Sequence, residues 1–236
     1  MLPDLTDILR LLKVFYYIGQ ASILVPVLVG LVRRRTLQPG MRLLFHCCLM
    51  WLAFTVFGEY ASLAWGNNNG IYQMVDILEL WFIGGIYYPA LRLPLRRYFL
   101  LIGIGYTVLA LFDFFVLSGL WQAIVQTLIF HDTYTTLLKH ILIIGLVLAY
   151  FEQCLFDLQI RSLWQEPLFV VSVGLLLFFI GTIVLFLTDH LILGPERRLF
   201  MLGLAVSNLA LNLLVARGLW LGSKPPRPLP VNTTAA

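Results

Sequence analysis

Apolar residues run through most of this chain in long, almost unbroken stretches, and the polar positions gather between them. Seven such runs fall at 11–32, 43–65, 71–91, 98–120, 137–156, 168–187 and 199–221. Each holds about 20 residues or more, and at about 1.5 Å per helical residue that crosses a hydrocarbon layer of about 30 Å. In lipid the backbone has no water to bond, so each run must satisfy its own N–H and C=O groups as a helix. Barrel strands would show shorter segments of alternating polarity, and none is seen. The pattern predicts an all-α, polytopic membrane protein, a bundle of seven transmembrane helices. Composition agrees, with 60% hydrophobic and only 12% charged residues, a balance foreign to water-soluble domains.

The expected organisation is one membrane bundle over residues 1–222 and a Pro-rich, disordered tail over 223–236, in a multi-pass protein of the cell membrane. Asp4 and Asp7 stand where a cleavable signal would be basic, so the first run is read as helix one. Most connections are short, which sets consecutive helices side by side. The exception is 121–136; its AIVQTLIF portion reads either as an interfacial helix or as an early start to helix five. Cys47, Cys48 and Cys154 all fall inside runs, where thiols serve as small apolar packing groups.

Charge sets the expected orientation. Arg33, Arg34, Arg35, Arg42, Arg92, Arg96, Arg97, Arg161, Arg217, Lys224 and Arg227 make eleven of the sixteen basic residues. They follow runs one, three and five, lie near the inner end of run seven, or lie in the tail. The positive-inside rule then places the N-terminus out and the C-terminus in. These short juxtamembrane clusters explain the basic balance without nucleic acid; the partner they imply is the bilayer.

Acids inside the runs carry the candidate chemistry. Glu59, Asp76, Glu79 and Asp113 lie roughly 6–10 Å below the outer ends of runs two, three and four at about 1.5 Å per residue. Tyr72, Asp76 and Glu79, spaced i, i+4, i+7, share one helical face. Thr55, Glu59 and Ser62 repeat that spacing on the preceding run, and only GNNNG joins the two. Exposure to lipid would cost about 2.5–3.5 kcal/mol per charge at mid-helix, so the acids are expected to turn inward. Crowded there, they need a compensating cation or proton. Lys139 and His140 open run five at the same level, with His131 and Asp132 before them and Asp189 and His190 closing run six. Lys13, Tyr16, Tyr17 and Gln20 join from run one, and Ser207, Asn208 and Asn212 from run seven. The expected ligand-binding set is Glu59, Tyr72, Asp76, Glu79, Asp113, Lys139, His140, Asn208 and Asn212, with no catalytic residue. The bland alternatives are helix-tying hydrogen bonds for the two asparagines and snorkelling for Lys139. Glu152, Asp157, Arg161 and Glu166 form a second group at helix ends and read as structural, Glu166 before Pro167 marking a helix start. Gly174 and Gly181 read as sites of close helix approach.

Familiar seven-helix patterns fit only in outline. The count and orientation resemble rhodopsins and G-protein-coupled receptors, but run seven has no lysine, and D-R-Y and N-P-x-x-Y are missing. Ceramidase- and progestin-receptor-like hydrolases are similar in their buried acids and histidines. They carry H-x-x-x-H in the last helix, where this chain has Asn208-x-x-x-Asn212, and Asn is a poor zinc ligand. A closer resemblance is carried by Glu59, the asparagines at 67–69, Tyr72 with Glu79, Tyr150-Phe151, and Pro167-x-Phe169 followed by Gly174. Over residues 43–221 the chain resembles small uncharacterised seven-helix proteins of Bacteroidetes-type bacteria. It is distantly similar to the membrane part of bacterial seven-helix sensors. That likeness implies no activity of its own, and a sensor role would require a separate cytoplasmic signalling partner.

These readings favour a receptor- or sensor-like protein with an acidic, outward-facing pocket for a small cationic ligand or ion, and no enzyme activity. Proton- or cation-coupled transport is the first alternative. A zinc-dependent lipid hydrolase using some of His131, His140, His190, Glu59 and Asp76 is the second. No resident cofactor is expected beyond a bound cation or zinc. A structural subunit whose acids pair with a partner helix completes the set.

Overall fold

A computed structural model describes residues 14–65, 69–113, 115, 131–156, 162–189 and 197–223. Among them every regular element is helical. The long helices are α1 Val14–Arg33, α2 Pro39–Trp65, α3 Asn69–Tyr87, α4 Leu93–Phe112, α5 His131–Phe156, α6 Pro167–Asp189 and α7 Arg197–Leu221. A single 3-10 turn, Leu163–Gln165, leads into α6. Proline sets three of the starts. Pro39 and Pro167 occupy first helical positions and Pro94 the second, where the missing N–H is not needed. Glu166 is correspondingly extended before Pro167.

All these helices except α3 are both long and apolar enough to cross a membrane, by length and composition. Their outer faces carry exposed Leu, Ile, Val and Phe, such as Leu101, Ile104, Val108 and Phe112 along α4. A water-soluble protein does not tolerate such a surface, so the protein is a polytopic helical membrane bundle. α3 misses the set because Gln73, Asp76 and Glu79 dilute it, yet Gln73 and Glu79 are buried.

The helices close into a ring. α1 packs on α2, α2 on α3, α3 on α5, α5 on α6, α6 on α7, and α7 returns to α1. α6 and α7 make the most extensive contact, and glycine explains it. Gly174 faces Leu214 Cβ and Gly181 faces Ser207 Oγ, each 3.0 Å from where a Cβ would stand, so the expected close approach is present. α4 stands outside the ring against α3 and α5. Only 17% of its span is buried, against 39% for α5, α6 and α7. Trp81 on α3 ties it in place by donating Nε1–H to Thr107 Oγ1 at 2.9 Å.

α1 bends. Its helix is interrupted at Ser22–Ile23, four residues before Pro26, whose ring displaces the carbonyl of Ser22 and offers it no N–H. Val25 N–H bonds that carbonyl instead, at 3.0 Å. The Ser22 hydroxyl donates to Gly19 O at 2.6 Å and accepts from Asn212 Nδ2 of α7 at 2.7 Å. Ser22→Ala is expected to destabilise the bundle by about 0.6–1.7 kcal/mol, the range for interhelical hydrogen bonds in membranes. Unfolding of the detergent-solubilised variant measures it.

Arg33, Arg92, Arg96 and Arg217 sit together at one end of the bundle. Arg33 stacks over the Trp220 ring at 3.9 Å, Arg217 over Trp164, Arg92 over Phe156 and Arg96 over Tyr88. This is an aromatic and cationic belt of the kind found at a membrane boundary.

Candidate functional site

Away from that belt the ring encloses a cavity of about 240 Å³, smaller than the about 300–1,000 Å³ of common small-molecule pockets. Each ring helix supplies part of its wall. Gly19, Gln20 and Ile23 come from α1, and Trp51, Phe54 and Thr55 from α2. Tyr72, Val75, Asp76 and Glu79 come from α3, and Thr136, Lys139 and His140 from α5. Phe178 and Thr182 of α6 and Asn208, Leu211 and Asn212 of α7 complete it.

Its charged centre is a triad. Lys139 Nζ donates to Asp76 Oδ1 at 2.6 Å and to Glu79 Oε2. The helical spacing that sets Asp76 and Glu79 on one face allows both to meet a single ammonium from α5. Thr136, one turn before Lys139, donates Oγ1–H to Asp76 Oδ2 at 2.6 Å, and the Trp51 side chain hydrogen-bonds Glu79. His140 lies against the Phe179 ring edge-on, centroids 4.9 Å apart. Its Nδ1 is 2.6 Å from Thr136 O; a carbonyl only accepts, so Nδ1 carries a proton.

One to two turns nearer the belt, five of the ring helices turn apolar side chains to the core. Leu44 and Cys48, Leu80 and Ile83, Ile143 and Val147, Val171 and Leu175, and Val215 are buried together. Beyond this plug Tyr87 and Ser172 share a hydrogen bond of 2.5 Å. The cavity is therefore closed toward the arginine belt.

Seven of the nine expected residues meet in the cavity: Tyr72, Asp76, Glu79, Lys139, His140, Asn208 and Asn212. Tyr72 forms its rim, 46% exposed. Glu59 does not take part. It is exposed, whereas Gly58 and Ala61 on the same helix are buried. Gly58 lets the Tyr72 hydroxyl approach to 3.3 Å from where a Cβ would be. Asp113 is buried but lies off the cavity, at the end of α4, accepting from Gln73 Nε2 at 3.4 Å.

Thr136, Trp51 and Ser22 are site residues the sequence did not single out. Thr136 stood in the ambiguous segment 121–136, of which residues from His131 onward belong to α5; the AIVQTLIF portion lies outside the described residues. The side chains of His131 and Asp132, His190 and the tail from Lys224 also lie outside them. Among the described residues no three His, Cys, Asp or Glu side chains converge as a metal set, since Asp76 and Glu79 both turn onto Lys139. In the second polar group Glu152 is exposed and Glu166 half-buried, its carboxyl pKa pushed up by burial at the start of α6. The chain matches no family model, no curated protein and no solved structure.

Proposed function

We propose that this is a seven-span protein of the cell membrane, N-terminus outside, that binds a small cationic ligand or ion in its axial cavity, in the manner of a receptor or sensor. One observation carries the reading: Asp76 and Glu79 share a single ammonium, Lys139, in a cavity walled by six helices. With both acids ionised the triad holds one negative charge more than positive. A monovalent cation completes its neutralisation, and Trp51, Phe54 and Phe178 offer aromatic surface for an organic ammonium. A buried ion cluster adds little net stability over apolar packing of the same volume, which supports a role in binding.

Two further features support the topology. α3 is enclosed between α2 and α5 in the ring, so it counts as the seventh span despite its acids. The Arg33, Arg92, Arg96 and Arg217 belt at the far end from the cavity suits a cytoplasmic boundary. The same end would meet a separate signalling partner.

Calorimetric titration of the purified protein with methylammonium, tetramethylammonium and alkali cations tests the reading. Glu79→Gln is expected to weaken binding roughly tenfold, about 1.4 kcal/mol. Equal affinities in wild type and variant would remove the proposal. Proton- or cation-coupled transport uses the same acids but must carry its substrate past the Leu80–Ile83 level of the plug, and flux into proteoliposomes separates the two.

A further inference from the structure

At the belt end, α7 turns one face outward between α1 and the turn that leads into α6. Val206, Leu209, Leu213, Arg217 and Trp220 follow one another at steps of three and four residues and are all exposed, so they form a single stripe. The stripe is apolar until it ends in a guanidinium and an indole. Arg33 of α1 lies over the Trp220 ring at 3.9 Å, and Arg217 over the Trp164 ring at 5.7 Å. Arginine and tryptophan thus alternate across the seam in the order Arg33, Trp220, Arg217, Trp164. Trp220 stands one turn from Arg217, so the two guanidiniums are neighbours on the scale of a lipid headgroup. Both are held by their faces and free at their edges. The ion pairs among the described residues belong to Lys139, and neither Arg33 nor Arg217 gives a hydrogen bond to a described residue. Arg96 behaves otherwise: it donates to Leu91 O and Pro89 O, both at 2.7 Å, and braces the loop between α3 and α4. A stacked guanidinium whose N–H edges have no protein partner is arranged for an anion, and its planar fork fits phosphate oxygens two at a time.

We propose that this strip binds an anionic phospholipid, the headgroup phosphate taking the N–H edges of Arg33 and Arg217 and an acyl chain lying along Val206, Leu209 and Leu213. Both ends of the stripe argue for that occupant. A free phosphate or an acidic peptide satisfies the guanidiniums but leaves the apolar stretch unused. A zwitterionic lipid supplies the chain but brings its own ammonium into a cluster of arginines. The exposed Arg34 and Arg35, next along the chain from Arg33, strengthen the positive field. Trp164 and Trp220 suit the glycerol level, where amphipathic rings settle. Arg33 belongs to α1 and Arg217 to α7, so one headgroup shared between them clasps the seam at which the ring closes. The assignment does not depend on what the axial cavity holds.

Thermal unfolding of the full-length protein in mixed micelles tests the site, with dioleoylphosphatidylglycerol titrated against dioleoylphosphatidylcholine. Phosphatidylglycerol is expected to raise Tm at a lipid fraction roughly tenfold lower than phosphatidylcholine needs, and added salt to narrow the difference. Arg33→Gln with Arg217→Gln is expected to abolish the preference. Arg42→Gln with Arg97→Gln removes the same charge from two other exposed arginines and is expected to keep it. If the first pair fails to fold, Arg33→Lys with Arg217→Lys retains the charge without the fork and is expected to weaken the preference several-fold; an undiminished preference there would overturn the assignment to these two side chains. An equal response of the wild type to both lipids would overturn the site. So would the same loss in the Gln pairs, which would reduce the effect to overall charge. Inorganic phosphate and polyglutamate are added separately in the same detergent, and a rise in Tm with either as large as that with phosphatidylglycerol would overturn the lipid as occupant.

Discussion

Lys139→Met is expected to lose about 3–5 kcal/mol of stability, the scale seen when one partner of a buried ion pair is removed. The reason lies in what stays behind. Lys139 is 4% exposed and is the shared partner of Asp76 and Glu79. Methionine fills nearly the same space with a flexible apolar chain, so packing is largely kept and the loss reports two stranded carboxylates. Adding Glu79→Gln should return part of the stability. The triple change with Asp76→Asn should return most of it, because neutral amides no longer need an ammonium. Unfolding of the four proteins in one detergent, followed by tryptophan fluorescence, gives the cycle. If each added change simply subtracted more stability, the three side chains would not be acting as one unit.

The second large effect is expected at the seam that closes the ring. A side chain at Gly19 would place its Cβ 2.8 Å from Ala205 Cα and 2.9 Å from Ala205 O. Backbone cannot step aside as a side chain can, so Gly19→Leu must push α1 away from α7. Overpacking of this kind costs about 1–3 kcal/mol and occasionally more. The shift also draws Ser22, one turn on, away from Asn212 and spreads the cavity wall. Two comparisons isolate the cause. Gly30 faces the ring of Phe45, a side chain that can turn, so Gly30→Ala should be milder. Gly105 has nothing within 4 Å, so Gly105→Ala should stay within about 0.5 kcal/mol of the wild type. The order of the three unfolding midpoints checks the argument, and Gly19→Leu matching Gly105→Ala would refute it.

Length and polarity made the helices legible, since lipid leaves the backbone no alternative to a helix. The ends were less so. α4 begins at Leu93 rather than at the edge of the apolar run, because Pro94 suits an N-terminal turn and the arginines beside it can lie in the boundary layer. The meeting of Asp76, Glu79, Lys139 and His140 could be anticipated from depth and helical spacing. Glu59 could not be placed that way. Its spacing from Thr55 suggests an inward face, but it is the neighbouring Gly58 that the Tyr72 hydroxyl of α3 approaches, and a search for polar stripes passes over glycine. The position of α4 was hidden for a related reason. Short loops imply that neighbours in sequence touch, yet α3 meets α5 directly and leaves α4 on the rim, so Asp113 shares a depth with the triad but not a chamber. Thr136 and Ser22 gain their roles only from partners on distant helices.

The ion triad joins segments made at different times. Asp76 and Glu79 precede Lys139 in the chain by 63 and 60 residues. When α3 leaves the ribosome its acids have no ammonium to meet, and releasing it into lipid would carry the insertion penalty of about 2.5–3.5 kcal/mol for each central charge. Biogenesis should therefore hold α3 beside the insertion machinery until α5 arrives. α1 waits longer still, since its place against α7 exists only once α7 has been made.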